Sequence, residues 1–283
     1  MTGPAWEYDG YRPEEERLRE SLCTLGNGYF ATRGALPECT ADDVHYPGTY
    51  AAGCYNRLTS EVAGRRIENE DMVNLPNWLP LRFRPAGGDW LTPDTAPVTE
   101  HHQVLHLEPG LLERRTGYGL PGGGTLHVRQ LRLLHLADPH LAALRTEFTV
   151  EGPRMDLEAE AALDGRVTNC GVARYRDLDG RHLTHFHAGT AVPGTAWLQC
   201  RTRTSDIRFG LAHRLTADSP VTHANEAHRA VQQLRLTLLP GRTVTVDKTV
   251  ALHTSRDPAI GDPLHAAVER ACAAPGFDEL LET

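Results

Sequence analysis

Three groups of side chains in this sequence have types and spacings that could do chemistry. The run H-L-T-H-F-H carries His182, His185 and His187, and on an extended strand His185 and His187 share one face, where two imidazoles and a third ligand could hold zinc. His101, His102 and His106 form a second cluster. Neither group has a cysteine or an acid at diagnostic ligand spacing, and the chain holds 15 histidines in all. Polar histidines on solvent faces are the plainer account, so no metal and no cofactor are expected.

Carboxylates come next, because glycoside cleavage uses a pair of them, or one acid together with phosphate. Asp42 with Asp43, Glu68 with Glu70 and Asp71, and the alternating series Asp156, Glu158 and Glu160 are the candidates. The alternating series reads as the solvated face of a strand, pointing to water. Glu70 is less bland because it leads into Asn74, Asn77 and Trp78, whose amides and indole suit sugar hydroxyls and pyranose faces. Those same groups also suit a buried corner in which amides cap backbone and the indole packs. Nucleophile and phosphate motifs are absent: there is no G-x-S-x-G, no P-loop and no dinucleotide glycine pattern, and the run 121–124 (P-G-G-G) lacks the Lys and Ser/Thr of a phosphate cradle. No catalytic residue is assigned.

The elements that must position these residues are mostly strands. Period-two alternation broken by turn pairs runs through the chain, the mark of half-buried antiparallel strands. Residues 49–57 and 61–67 flank short breaks, and residues 98–107 and 111–118 form a hairpin about Glu108, Pro109 and Gly110. Leu144, Thr146, Phe148 and Val150 share a face, as do Met155, Leu157, Ala159, Ala161 and Leu163. The stretch 126–136 is apolar on both faces in its later half and belongs in the middle of a sheet. Turns at Asp164-Gly165, Asp179-Gly180 and Pro240-Gly241 punctuate the second half. The fold class is therefore all-β, a large antiparallel sandwich spanning residues 1–258. From Asp262-Pro263, an N-cap and first-turn pair, the period changes to helical, so residues 259–283 read as a short helical linker. Phe277, Leu280 and Leu281 form a one-turn apolar stripe that needs a partner, and the C-terminus reads as cut.

Near the other end an acidic helical lead-in, residues 14–20, meets a tight Gly26-Asn27-Gly28 reversal, after which Tyr29, Phe30 and Thr32 look like the first strand. The whole run 19–34, R-E-S-L-C-T-L-G-N-G-Y-F-A-T-R-G, closely resembles the opening of glycoside hydrolase family 65, the maltose, trehalose and kojibiose phosphorylases with the related acid trehalases. The resemblance continues at 47–57 (P-G-T-Y-A-A-G-C-Y-N-R), 71–81 (D-M-V-N-L-P-N-W-L-P-L) and 105–115 (L-H-L-E-P-G-L-L-E-R-R). Ala31 and Thr32 depart from the usual glycine-containing pair. The resemblance implies a non-catalytic N-terminal β-sandwich that buttresses a helical (α/α) barrel in cis or in trans, shapes its substrate mouth and helps it pair as a homodimer. A catalytic acid, a phosphate site and inverting chemistry would belong to the barrel, with disaccharide and phosphate reached only through it. Tyr29, Arg33, Glu70, Asn74, Asn77 and Trp78 are the substrate-mouth or interface candidates.

Composition fits this reading. Hydrophobic residues make up 40% of the chain, enough for a real core, and the formal net charge of −8 argues against a nucleic-acid partner. No signal-like run and no stretch approaching the ~18 apolar residues of a membrane span is present, so a cytoplasmic location and no membrane contact are expected. The six cysteines are scattered without a C-x-x-C pair, which reads as reduced thiols. Two other classes remain: a free-standing carbohydrate-binding module, against which stands the lack of an aromatic row among only four tryptophans, and a complete metal-dependent sandwich enzyme.

Overall fold

A computed structural model describes residues 3–169, 177–191 and 194–283. In chain order the elements are β1 (Ala5–Asp9), α1 (Pro13–Leu22), β2 (Leu25–Gly26), β3 (Phe30–Thr32), β4 (Thr49–Ala51), β5 (Tyr55–Val62), β6 (Arg65–Met72) and β7 (Leu81–Pro85). They continue with β8 (Val98–His106), β9 (Leu111–Gly119), β10 (Thr125–Leu134), β11 (Leu141–Glu151), β12 (Met155–Asp164), β13 (Leu183–Thr190) and β14 (Thr195–Thr202). The last are β15 (Arg208–Ala217), β16 (Val221–His223), β17 (Arg229–Leu238), β18 (Thr243–Thr254), α2 (Pro263–Ala273) and α3 (Phe277–Glu282).

The strands form a sandwich. A nine-stranded antiparallel sheet, ordered β1-β8-β9-β10-β11-β18-β15-β14-β13, faces a four-stranded sheet ordered β16-β17-β12-β7. Alternation explains the packing: Leu144, Phe148 and Val150 of β11 and Leu157, Ala159, Ala161 and Leu163 of β12 all lie in one buried apolar cluster. Phe83 sits edge-on to both Phe148 (5.1 Å between ring centres) and Tyr118 (5.7 Å), knitting β7 to the large sheet. The hairpin at Glu108-Pro109-Gly110 joins β8 and β9 as expected.

Several boundaries differ from the sequence expectation, each for a physical reason. The first strand is β1, an edge strand pairing with β8, not the run after Asn27. Its aromatic Trp6 is exposed, so its place rests on backbone pairing that composition does not reveal. Residues 49–57 are broken after β4 at Ala52-Gly53, and Ala63-Gly64 turns residues 61–67 into the bend of the β5–β6 hairpin. Asp156 is exposed and Glu158 half-buried, but Glu160 does not point to water: it is 4% exposed, enclosed by Arg82 and Arg229.

The C-terminal apolar stripe also finds a partner within the chain. Phe277 and Leu280 are buried with Ala267 and Ala271 against Leu131, Leu133, Ala143 and Ala251, on the outer face of the large sheet. This is why β10 is apolar on both faces in its later half: one side meets the sandwich core, the other the helices. α2 starts at Asp262, whose side chain accepts from the N–H groups of Leu264 (2.7 Å) and His265 (3.3 Å). It lies so close to β15 that a Cβ on Gly210 would come within 2.5 Å of the Leu264 backbone, so only glycine fits there.

Candidate functional site

The candidate residues are positioned by the β2–β3 reversal and the corner at residues 74–78. Asn27 organises the reversal: its Oδ1 accepts from the N–H groups of Tyr29 and Phe30 (both 3.1 Å), and its Nδ2 donates to the carbonyls of His135 and Pro139 (both 2.9 Å). Gly28 turns the chain at φ 87°, in the region that favours glycine. Tyr29 is thereby aimed at Asp257, to which its hydroxyl donates (2.7 Å), while its ring meets His140 edge-on at 4.3 Å. His140 stacks on His253 at 3.8 Å, and the Nδ1 of His253 lies 3.0 Å from Asp257. Burial pushes the Asp257 carboxyl up, but bonds from His253, Tyr29 and Thr254 outweigh it and hold the group below the usual carboxylate range. His140, His253 and Asp257 are one group that could hold a metal ion.

Arg33 runs the other way, along α1. It donates to the carbonyls of Tyr46 (2.7 Å) and Arg17 (2.9 Å) and to Ser21 Oγ (2.7 Å), with its guanidinium 5.3 Å over the Tyr46 ring. It lines a cleft of about 460 Å³ with Tyr46, Tyr50 and Asp71. Tyr46 also borders a second cleft, of about 450 Å³, lined by Asn74, Asn77, Asp164, Arg166 and Thr168.

In that corner the two amides mainly hold backbone. Thr49 N–H donates to Asn74 Oδ1 (3.0 Å), Asn74 Nδ2 donates to the Thr168 carbonyl (3.2 Å), and Leu79 N–H donates to Asn77 Oδ1 (3.0 Å). Trp78 is fully buried and its Nε1 donates to Thr32 Oγ1 (2.8 Å), so its ring offers no face to a sugar or to another domain. For Trp78 the packing account of the sequence describes the residue. Glu70 is exposed on β6 within the β5–β6 ribbon, 3.6 Å from Arg57. Arg33, Asn74 and Asn77 are therefore brought to two adjoining clefts, whereas Tyr29, Glu70 and Trp78 lie elsewhere.

The histidine clusters do not assemble as such. His182 is buried beside Asn56 (3.1 Å) and Asp71 (3.3 Å), not solvent-facing. A bulge between Thr184 and His187, with His185 at φ 53°, breaks the alternation that would put His185 and His187 on one face. His101 is buried against Thr116, while His102 lies on the other face of β8, which faces Glu7. Of the cysteines, the five described are unpaired, and Cys170 lies outside the described residues.

Several buried carboxylates are clamped by arginines, whereas burial raises Glu16 despite the neighbouring Arg19. Glu38 takes Arg114 at 2.6 Å and the Tyr118 hydroxyl at 2.7 Å. Burial raises Glu113, yet bonds from Arg129, Arg115 and His106 hold it down to about 2. A general acid of glycoside cleavage needs the opposite shift. Sequence reading passed over two polar clusters: His45 between Glu20 and Asp94, and Lys248 with His213 in the core. The second had a signal, since Lys248 stands at an inward position between Val246 and Val250.

Comparison with known proteins agrees with this architecture. Residues 6–283 match the family described as glycosyl hydrolase family 65, N-terminal domain. The chain is 37% identical over 259 residues to an uncharacterized glycosyl hydrolase of Mycobacterium tuberculosis, covering 89% of this chain and 19% of that protein. It is 28% identical to trehalose 6-phosphate phosphorylase of Lactococcus lactis (84% of this chain, 30% of that protein) and 26% identical to kojibiose phosphorylase of Caldanaerobacter subterraneus (93% and 34%). A solved structure provisionally named a kojibiose phosphorylase, from the human microbiome, superposes with a TM-score of 0.85 at 17% identity, over 98% of this chain and 36% of that one. The chain thus spans between about a fifth and a third of the length of these relatives.

Proposed function

The chain belongs to glycosyl hydrolase family 65 by its N-terminal domain, and from that membership we propose that it is the non-catalytic sandwich of an enzyme that breaks α-glucosidic disaccharides in the cytoplasm. Its role is to buttress a helical catalytic barrel, in cis or in trans, and to help form its substrate mouth. The observation that carries this reading is the length relation: nearly all of this chain corresponds to about a third or less of phosphorylases that act on trehalose 6-phosphate or kojibiose. The clamped state of Glu113 and Glu160, both held below the usual carboxylate range by arginines, supports it, because neither is suited to protonate a glycosidic oxygen.

Docking to the barrel would use the α1 side of the molecule. Leu18 and Leu22 stand one turn apart on α1 and are 61% and 51% exposed, and Tyr55 and Met72 on the β5–β6 ribbon are also exposed. The Arg33 cleft includes Leu18, and with the Asn74–Asn77 cleft it supports a place for these residues at the mouth. Residues 259–283 would lead toward the barrel while covering the large sheet, and pairing of two copies belongs to the intact enzyme.

The test is to assay the purified chain alone on maltose, trehalose, kojibiose and trehalose 6-phosphate, with and without phosphate, and then with a relative's barrel supplied in trans. No turnover alone and binding of the barrel that weakens with Leu18→Asp are expected. Turnover by the chain alone that disappears on Glu70→Gln would overturn the reading.

A further inference from the structure

We propose that Cys39, His45 and Asp94 form a binding site for a divalent transition-metal ion of the zinc class, with Glu20 and Tyr11 orienting two of the ligands. Cys39 and His45 come from the connection between β3 and β4 and Asp94 from that between β7 and β8, and neither histidine cluster conspicuous in the sequence takes part. One donor atom from each lies within 4.8 Å of the others. Zinc bond lengths of about 2.0–2.3 Å put tetrahedral ligand atoms roughly 3.4–3.7 Å apart, so an inward adjustment of about 1 Å closes the set. A thiolate, an imidazole and a carboxylate suit zinc or cobalt(II) and not magnesium or calcium, which take oxygen ligands.

The surroundings resemble a built site. His45 is fully buried, and its Nδ1 lies 3.0 Å from Oε1 of Glu20, whose Oε2 accepts from Tyr46 N–H (2.9 Å). With the Nδ1 proton held by a carboxylate, Nε2 is the ligand atom, and it already faces Asp94 Oδ2 at 3.0 Å. The Tyr11 hydroxyl donates to the other Asp94 oxygen and sits 3.0 Å from the same Nε2, fixing the carboxylate. Asp42 Oδ1 accepts from the N–H groups of Val44 (2.8 Å) and His45 (2.6 Å), which sets the loop. Entry is open: Asp94 is exposed, and Cys39 lines the same cleft as Asn74 and Asn77.

Binding needs His45 Nε2 without a proton and releases the Cys39 thiol proton, while Glu20 keeps the Nδ1–H bond. Three protein ligands leave a fourth position for water.

The test strips the purified chain with chelator and titrates it with zinc sulfate or cobalt(II) chloride. One equivalent should bind, the thermal midpoint should climb with free zinc, and cobalt should show a thiolate charge-transfer band. Cys39→Ser, its fold checked by circular dichroism, should lose that band and at least tenfold in zinc affinity. Glu20→Gln should keep the band and lose about 10–100-fold, as other groups that orient metal-bound histidines do. Absence of bound metal, or affinity unchanged in Cys39→Ser, would overturn the proposal. So would binding lost only in His253→Gln, which would put the ion beside Asp257.

Discussion

His213 and Lys248 are diagonal neighbours on the inner face of the large sheet. His213 pairs with Val250 across β15 and β18, and Lys248 stands two residues back along the same strand; both are fully buried. Lys248 Nζ donates to the carbonyls of Ala162 (2.8 Å) and Pro80 (3.0 Å), and among the described residues no carboxylate pairs with it and neither ring nitrogen of His213 has a hydrogen-bond partner. Gln232 and Thr146, on inward faces, add polar atoms without a hydrogen-bond partner among the described residues.

This pair makes stability pH-dependent. Burial, then the neighbouring Arg229, holds Lys248 well below the usual lysine range, and burial, then Lys248, does the same for His213. The unfolded chain takes up these protons below about 10.4 and 6.5 respectively while the folded chain does not, so stability falls as pH drops through those values. Lys248→Met removes the first term at a pH-independent cost of about 1–3 kcal/mol for the orphaned carbonyls. The stability difference between Lys248→Met and the parent, from urea melts at pH 10 and pH 7, should move in favour of the variant at the lower pH. A constant difference would mean that Lys248 is charged in the fold.

Glu113 contributes to the acid limb. Because its folded pKa is held down to about 2, its contribution is complete above the unfolded value near 4.3 and is lost as pH falls toward 2. Glu113→Gln should flatten acid denaturation between those values and leave Arg115 and Arg129 without their shared carboxylate. Melting curves at pH 5 and pH 3 would show it.

Trp78→Ala should cost the isolated chain about 3–5 kcal/mol, the range for emptying a buried aromatic site, and should leave the Thr32 hydroxyl unpaired. Denaturant melts report this directly. A variant as stable as the parent would mean that the ring is not part of the core.

Ending the chain after Pro275 should uncover Leu131, Leu133 and Ala143 on the outer face of the large sheet. We expect a lower thermal midpoint and concentration-dependent association by size-exclusion chromatography, and Phe277→Ala should reproduce part of the loss. An unchanged midpoint would show that α3 adds nothing to the sandwich.

Much of this architecture was readable from local pattern. The Glu108-Pro109-Gly110 hairpin, the Asp262 cap and the alternation of β11 and β12 depend on neighbours in the chain, and all are present. What escaped depends on partners far away. Glu160 looks solvated until Arg229, 69 residues later, covers it. His45 has no local signal because Glu20 and Asp94 lie 25 and 49 residues off. Trp78 supported two readings until its Thr32 partner, 46 residues earlier, was known.

β18 is the last strand in chain order among the described residues, yet it lies between β11 and β15 near the middle of the nine-stranded sheet. During synthesis, the edges of β11 and β15 therefore remain open until residue 254 has emerged, with apolar inner faces uncovered on both sides of the gap. Such non-local closure is slow and leaves unpaired strand edges available to other chains. A nascent chain stalled before Thr243 should bind holding chaperones, and one released past Thr254 should let them go.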